Sequence, residues 1–193
     1  MEVSLHRIAR RLLHRAGGTA LVPMVTFGSP APGSAAFASP RDRGSETRLA
    51  RCIARASESR PWLEKTLWAL RDQEGGWAGA EIANKDGSHD LGPLQVNSWW
   101  IPRLAKITGR PAPRVRHWLK NDVCFNVDAA RWIFLSGLAA TGDYWKAIGV
   151  YHSPARWRQR RYARSVAAHL GRRYGPAAFG AGSGVRAKGR NGL

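Results

Sequence analysis

The residue of this chain best suited to proton-transfer chemistry is a glutamate that closes an apolar helix and precedes a glycine pair. Glu74 follows Leu63, Leu67 and Leu70, whose spacings of four and three mark one helical stripe, and it precedes Gly75 and Gly76. Desolvation at the buried end of such a helix raises a carboxyl group's pKa toward neutrality, which a general acid needs. The two glycines would let a substrate chain approach the backbone closely. Taken by itself, Glu74 has a plainer reading as a solvated residue at a helix end, the common fate of glutamate.

The segment after Glu74 is dense in polar and turn-forming residues, Asn84-Lys-Asp-Gly-Ser-His-Asp90, and continues to Gln95 and Asn97. It predicts a hairpin or an irregular loop. Asp90 has two readings that the residues leave open. It is a second carboxylate for acid–base work, or it braces the turn through local hydrogen bonds or contacts the substrate. Six histidines are scattered singly, and nothing has metal-ligand spacing. Asn84, Asp86 and Gly87 superficially match a calcium loop, but the closing bidentate glutamate is missing. No phosphate-cradling loop occurs, so no metal and no cofactor are expected.

These residues must be held by helices. Pro61 suits a first helical turn, and the stripe from Leu63 ends near Gly75. Further helices are expected over about 126–140, with Val127, Ala130, Phe134 and Leu138 on one side, over 144–151, and over 154–170. In the last of these, Tyr162, Val166 and Leu170 share a face. The fold expected is mainly α, with several short helices and one small turn or β-hairpin segment. Residues 39–47 are polar and read as a linker, and residues 172–193 read as a disordered basic Gly/Arg tail.

The chain has 193 residues, 31 Lys+Arg against 13 Asp+Glu, and nine tryptophans: enough for one domain with a real core and a preference for polyanionic partners. No apolar run approaches the roughly 20 residues of a membrane-spanning helix, so no transmembrane anchor is expected. Residues 1–38 read as an export signal: Arg7, Arg10, Arg11 and Arg15, then a short apolar stretch, then small residues ending in Ala36-Phe37-Ala38. A disordered basic arm is the alternative. In an oxidising compartment Cys52 and Cys124 would pair, closing a loop of about 70 residues; otherwise they are two buried thiols. Arg156, Arg158, Arg160, Arg161 and Arg164, interleaved with Trp157 and Tyr162, also admit a nucleic-acid-binding reading. That reading leaves the pattern from Glu74 to Asn97 unexplained.

The order Glu74-Gly-Gly-Trp, then Asp90-Leu-Gly-Pro-Leu-Gln95-Val-Asn97, then Asp122-Val-Cys124-Phe-Asn126, then Ala147-Ile-Gly-Val-Tyr151-His-Ser153 resembles the lysozyme-like superfamily. Within it, the pattern is similar to the single-domain lytic transglycosylases associated with type IV secretion, conjugation and pili. The resemblance spans roughly residues 50–170 and implies a catalytic domain over 48–171 of α+β lysozyme-like fold with a cleft. It implies cleavage of the MurNAc–GlcNAc β-1,4 bond of peptidoglycan with 1,6-anhydro-MurNAc ends, by an exported, periplasmic bacterial enzyme. Expected partners are glycan strands and components of a secretion or pilus apparatus; nucleic acid is not required. Glu74 would be the acid and then the base. Gln95 and Asn97 would line the cleft and bind sugar groups, or else satisfy buried backbone. Tyr151 would sit beside Glu74 and orient its carboxyl, or else belong to the core. Trp99 and Trp100 would stack on sugar faces or pack inward. The chain departs from the family pattern at Gly75 (usually Ser), Leu94 (usually Met) and Tyr151-His-Ser-Pro154 (usually Tyr-Asn-Ala-Gly). The aspartate-bearing stretch also resembles animal-type lysozymes, in which this carboxylate serves hydrolysis.

Overall fold

A computed structural model describes residues 40–178. The fold is mostly helical with one small antiparallel sheet, as the sequence pattern predicts. Helices α1 (Pro40–Ser57) and α2 (Pro61–Glu74) precede strands β1 (Glu81–Ala83), β2 (His89–Leu91) and β3 (Val96–Asn97). After a 3-10 turn come α3 (Ile101–Thr108), α4 (Ala112–Asn121), α5 (Val123–Thr141), α6 (Tyr144–His152) and α7 (Arg156–Tyr174). The export-signal reading of residues 1–38 lies outside the described residues, as does the chain after 178.

Helix α5 is the axis of the packing, with α1, α4 and α6 against it. By length and composition alone it could cross a membrane, but Val127, Ala130, Ile133 and Phe134 are core residues here. It begins at Val123 rather than near 126, because the Asp122 carboxylate accepts hydrogen bonds from the amides of Cys124 (3.0 Å) and Phe125 (3.1 Å). Such a cap satisfies donors that would otherwise be orphaned and stabilises the helix by about 1 kcal/mol. Leu63, Leu67 and Leu70 of α2 are fully buried, each stabilising the fold by roughly 1.5–3 kcal/mol.

Within the stretch 39–47 read as a linker, the residues from Pro40 on are the first turns of α1. Residues 44–47 face solvent, and the apolar stripe of Leu49, Cys52, Ile53 and Ala56 starts only afterwards. At the other end, α7 continues through Tyr174 and a 3-10 turn runs to Ala178, so order persists past the expected start of the tail at 172. The Arg173 guanidinium explains this, binding both Asp72 oxygens (2.7 and 2.8 Å) and lying 4.3 Å from the Trp68 ring. Helices α3 and α4 have no counterpart in the sequence reading. Each buries only two side chains, Ile101 and Leu104 or Val115 and Leu119, too few to make a visible period.

Cys52 and Cys124 form a disulfide joining α1 to the start of α5, with Cα atoms 4.9 Å apart. A crosslink over 72 positions stabilises the folded chain by about 2–4 kcal/mol in the chain-entropy account. The sheet has the order β1-β2-β3, with Ile82 opposite Asp90 and Asp90 opposite Asn97. The expected hairpin is present and gains a third strand. Asp86 closes its turn by accepting from the amide (3.0 Å) and hydroxyl (2.7 Å) of Ser88.

Candidate active site

Helix α2 ends where Glu74 needs it to end. Gly75 takes a left-handed conformation (φ 61°) and returns its amide to the Arg71 carbonyl at 2.9 Å. Gly76 then passes against the turn after β2: a Cβ there would lie 2.2 Å from the Gly92 carbonyl oxygen and 2.8 Å from the Gln95 side-chain nitrogen. The glycine pair thus serves a helix cap and a close approach of two protein segments.

That turn is fixed from beneath by Asn126, which is wholly buried. Its Oδ1 accepts from the Leu94 amide (2.9 Å), and its Nδ2 donates to the carbonyls of Leu91 (2.7 Å) and Leu119 (2.9 Å). Gly92 (φ 69°) packs on the same amide group, so a side chain there would collide with it. Gln95 adopts φ 46° and donates its side-chain N–H to the Gly92 carbonyl at 2.8 Å. The amide of Asn97 is engaged at both ends. Its Nδ2 donates to Asp90 Oδ1 (2.9 Å) and Ser88 Oγ (3.0 Å), while its Oδ1 accepts from the Trp99 amide (2.9 Å). Asp86 braces the hairpin turn; Asp90 is instead tied across to β3, where its charge acts on Glu74.

Glu74 is only partly covered as a residue, yet its carboxyl group is crowded by protein. Burial pushes its pKa from 4.5 up to about 7. The Tyr162 hydroxyl, donating to Glu74 Oε1, opposes that rise, and the negative charge of Asp90 adds to it. A carboxyl with this pKa is substantially protonated near neutrality and can also accept a proton back.

Tyr151 is not the hydrogen-bond partner of Glu74. Its hydroxyl donates to the Leu94 carbonyl at 2.9 Å, although the charges of both Glu74 and Asp90 reach it and raise its pKa along with burial. The partner is Tyr162, 5% exposed on the inner face of α7. Helices α2 and α7 pack together in opposite directions: Lys65 lies over the Tyr174 ring at one end, and Glu74 meets Tyr162 at the other. The signal that could have found it was present, since Tyr162 is the open end of the Tyr162-Val166-Leu170 stripe. It also removes Tyr162 from the basic face with which the nucleic-acid reading had grouped it. His152, the last residue of α6, lies flat on the Tyr162 ring, with centroids 4.5 Å apart and planes 3° from parallel.

Trp99 is 63% exposed beside Asn97, whereas Trp100 packs edge-on against Trp132 at 5.7 Å, so the pair divides between surface and interior. Among the described residues, no three His, Cys, Asp or Glu side chains converge as metal ligands.

No family model matches the chain. Among curated proteins, the invasion protein IagB of Salmonella typhimurium strain SL1344 is 31% identical over 125 residues, covering 62% of this chain and 75% of the relative. The invasion protein IagB of strain LT2 and that of Salmonella typhi match equally. Identity at this level over three quarters of the relative's length places the chain in the family of the invasion protein IagB.

Proposed function

We propose that this protein is a peptidoglycan lytic transglycosylase acting on the MurNAc–GlcNAc β-1,4 bond, with Glu74 as its catalytic acid and base. The observation that carries the reading is the Glu74 carboxyl at the end of α2, held near pKa 7 by burial, under Tyr162 and within the field of Asp90. The ordered motifs that resemble the lysozyme-like superfamily support it.

In this reading protonated Glu74 gives its proton to the glycosidic oxygen as the bond from that oxygen to the anomeric carbon breaks. Asp90, tied to Asn97, serves this reading by raising the affinity of Glu74 for its proton. Glu74, now a carboxylate receiving the Tyr162 hydrogen bond, takes the proton from the muramic acid 6-hydroxyl. The freed oxygen then bonds to the anomeric carbon. One proton leaves Glu74 and one returns, no water is consumed, and the product carries a 1,6-anhydro ring. Gln95 and Asn97 shape the cleft wall by holding the turn and Asp90, and exposed Trp99 offers a stacking face to a sugar. The enzyme would be exported to the periplasm, meet glycan strands there and open the wall locally for a secretion, conjugation or pilus apparatus.

A second reading is favoured by one observation, the charge of Asp90 acting on Glu74. With Asp90 as a second carboxylate, water would replace the 6-hydroxyl and the enzyme would be a lysozyme-type hydrolase. Mass spectrometry of muropeptides released from purified sacculi separates the two. Anhydro ends are expected; reducing ends would establish the hydrolase, and no release by wild-type protein would overturn both.

A further inference from the structure

The family pattern has Asn where this chain has His152, and the structure gives that histidine a contact with the reactive pair. Its ring stacks on Tyr162 at 4.5 Å and 3°, and Tyr162 in turn donates to Glu74. His152 is exposed while Tyr162 is 5% exposed, so the imidazole is part of what separates the phenol from solvent. We propose that His152 is a positioning residue for the Tyr162–Glu74 pair: its ring clamps the phenol against the carboxyl, and its uptake of a proton changes the charge that Glu74 meets. The inference rests on the reading of Glu74 as the reactive acid.

The first half follows from geometry. A phenol ring packed flat against a second ring loses freedom to swing, and its hydroxyl stays on Oε1 without reorganisation during the proton transfers. Removing the ring leaves Tyr162 free to tilt and opens the carboxyl to water.

The second half follows from the groups that face the imidazole. Asp90 reaches it from β2 and favours its protonation; Arg158 reaches it from α7 and disfavours it; Tyr151 precedes it on α6 itself. Burial and Arg158 outweigh Asp90, so His152 is held below its ordinary value and is neutral at pH 7. Below that point an imidazolium forms beside Asp90 and against the phenol face. It offsets the Asp90 charge that raises Glu74, and as a cation over the ring it makes the phenol a stronger donor. Both effects favour the Glu74 carboxylate. Protonation of His152 therefore resists protonation of Glu74, and the two sites titrate as a coupled pair.

The test uses the full chain with ¹³C-labelled glutamate carboxyls, the Glu74 signal being assigned by its loss in Glu74→Gln. In wild type the Glu74 resonance should titrate in two steps. In His152→Phe, which keeps a flat ring without a charge, it should titrate in one. Sacculus cleavage supplies the second readout at pH 7. His152→Ala should lower kcat by about tenfold with KM nearly unchanged, and His152→Phe should restore most of it. Identical single-step titration in wild type and His152→Phe overturns the charge coupling. Unchanged kcat in His152→Ala, or His152→Phe no better than His152→Ala, overturns the clamp. Wild-type protein that titrates in two steps but releases nothing from sacculi counts against the functional reading, not against the coupling.

Discussion

Glu74 and Glu81 lie seven positions apart on either side of the same turn, and their carboxyl groups are driven in opposite directions. Glu81 at the start of β1 receives the Arg116 guanidinium and the Lys120 ammonium (2.8 Å), and these hydrogen bonds and charges lower its pKa to about 2. Glu74 meets a neutral phenol, an unfavourable negative charge and little water, and its pKa rises to about 7. Among the described residues of a chain with 31 Lys+Arg, leaving one carboxyl to a phenol and another carboxylate is a local structural achievement. It depends on the apolar stripe of α2, on the glycine cap that ends the helix, and on Tyr162. The difference separates a carboxylate that ties a strand to α4 from one poised to exchange a proton.

The sharpest break in that comparison is to amidate each in turn. Glu74→Gln removes the transferable proton and should lower sacculus cleavage by about 10³-fold or more, toward the upper end of what a lost general acid costs. Glu81→Gln should leave cleavage unchanged and alter stability by less than about 1 kcal/mol, since the pair is partly exposed to solvent. The signs of the stability effects also differ. The folded pKa of Glu74 lies above its ordinary 4.5, so this group penalises folding as pH rises from 4.5 through 7, by at most about 3 kcal/mol. Glu81 is depressed, so its contribution is present above 4.5 and fades as pH falls toward 2. Chemical denaturation should therefore find Glu74→Gln more stable than wild type at pH 8 and nearly equal to it at pH 4. A mutant that is no more stable at pH 8 would show that the carboxyl is better solvated than its neighbours suggest.

The platform beneath the site gives the next effect. Asn126→Ala deletes three buried hydrogen bonds to Leu91, Leu94 and Leu119 and should destabilise the protein by about 3–5 kcal/mol. Urea unfolding measures it, and a loss under about 1 kcal/mol would mean the turn holds itself.

Asn126 also marks the limit of what the residues alone reveal. It stood within a recognised motif, but a buried amide joining three segments leaves no trace in periodicity, because its partners are backbone groups far along the chain. Helices α2 and α5 were legible, since Leu63, Leu67 and Leu70 or Val127, Ala130 and Phe134 repeat at helical spacing. The start of α1 was not, because a charged, solvent-facing turn reads like a linker until the stripe from Leu49 is taken with it. In the site, the end of the α2 stripe marked the position of Glu74, but that position alone reads as solvated; only the ordered motifs after it set the residue apart. Tyr162 was not legible: the arginines around it drew attention to the outer face of α7, while its own stripe pointed inward. Tyr151, expected to orient the carboxyl or to belong to the core, gives its hydroxyl to the Leu94 carbonyl instead.

Tyr162→Phe tests the phenol directly. The hydroxyl lowers the pKa of Glu74, so its removal should raise that pKa and move the alkaline limb of the activity profile to higher pH. The carboxylate formed after the first transfer loses its donor, and kcat should fall by about tenfold, the size expected for one lost hydrogen bond to a charged group. An unshifted profile would mean that water takes the place of the hydroxyl.

Asp90→Asn gives the smallest expected change and the most information about the chemistry. Asp90 is held by Asn97 and raises the pKa of Glu74 through space, so the amide should lower that pKa and move the alkaline limb to lower pH, opposite to Tyr162→Phe. If Asp90 only supplies a field, cleavage should persist within about tenfold of wild type, because a screened charge on a partly exposed side chain is worth little more. Anhydro ends should then appear from both proteins, the 6-hydroxyl still serving as nucleophile. If Asp90 is instead the second carboxylate of a hydrolase, its loss removes a covalent partner or the charge facing the oxocarbenium-like centre. Such a loss, about 3–4 kcal/mol, lowers the rate by roughly 10²–10³. A drop of that size together with reducing ends from the wild type would make Glu74 and Asp90 a working pair. The comparison that matters would then be between those two carboxyls rather than between Glu74 and Glu81.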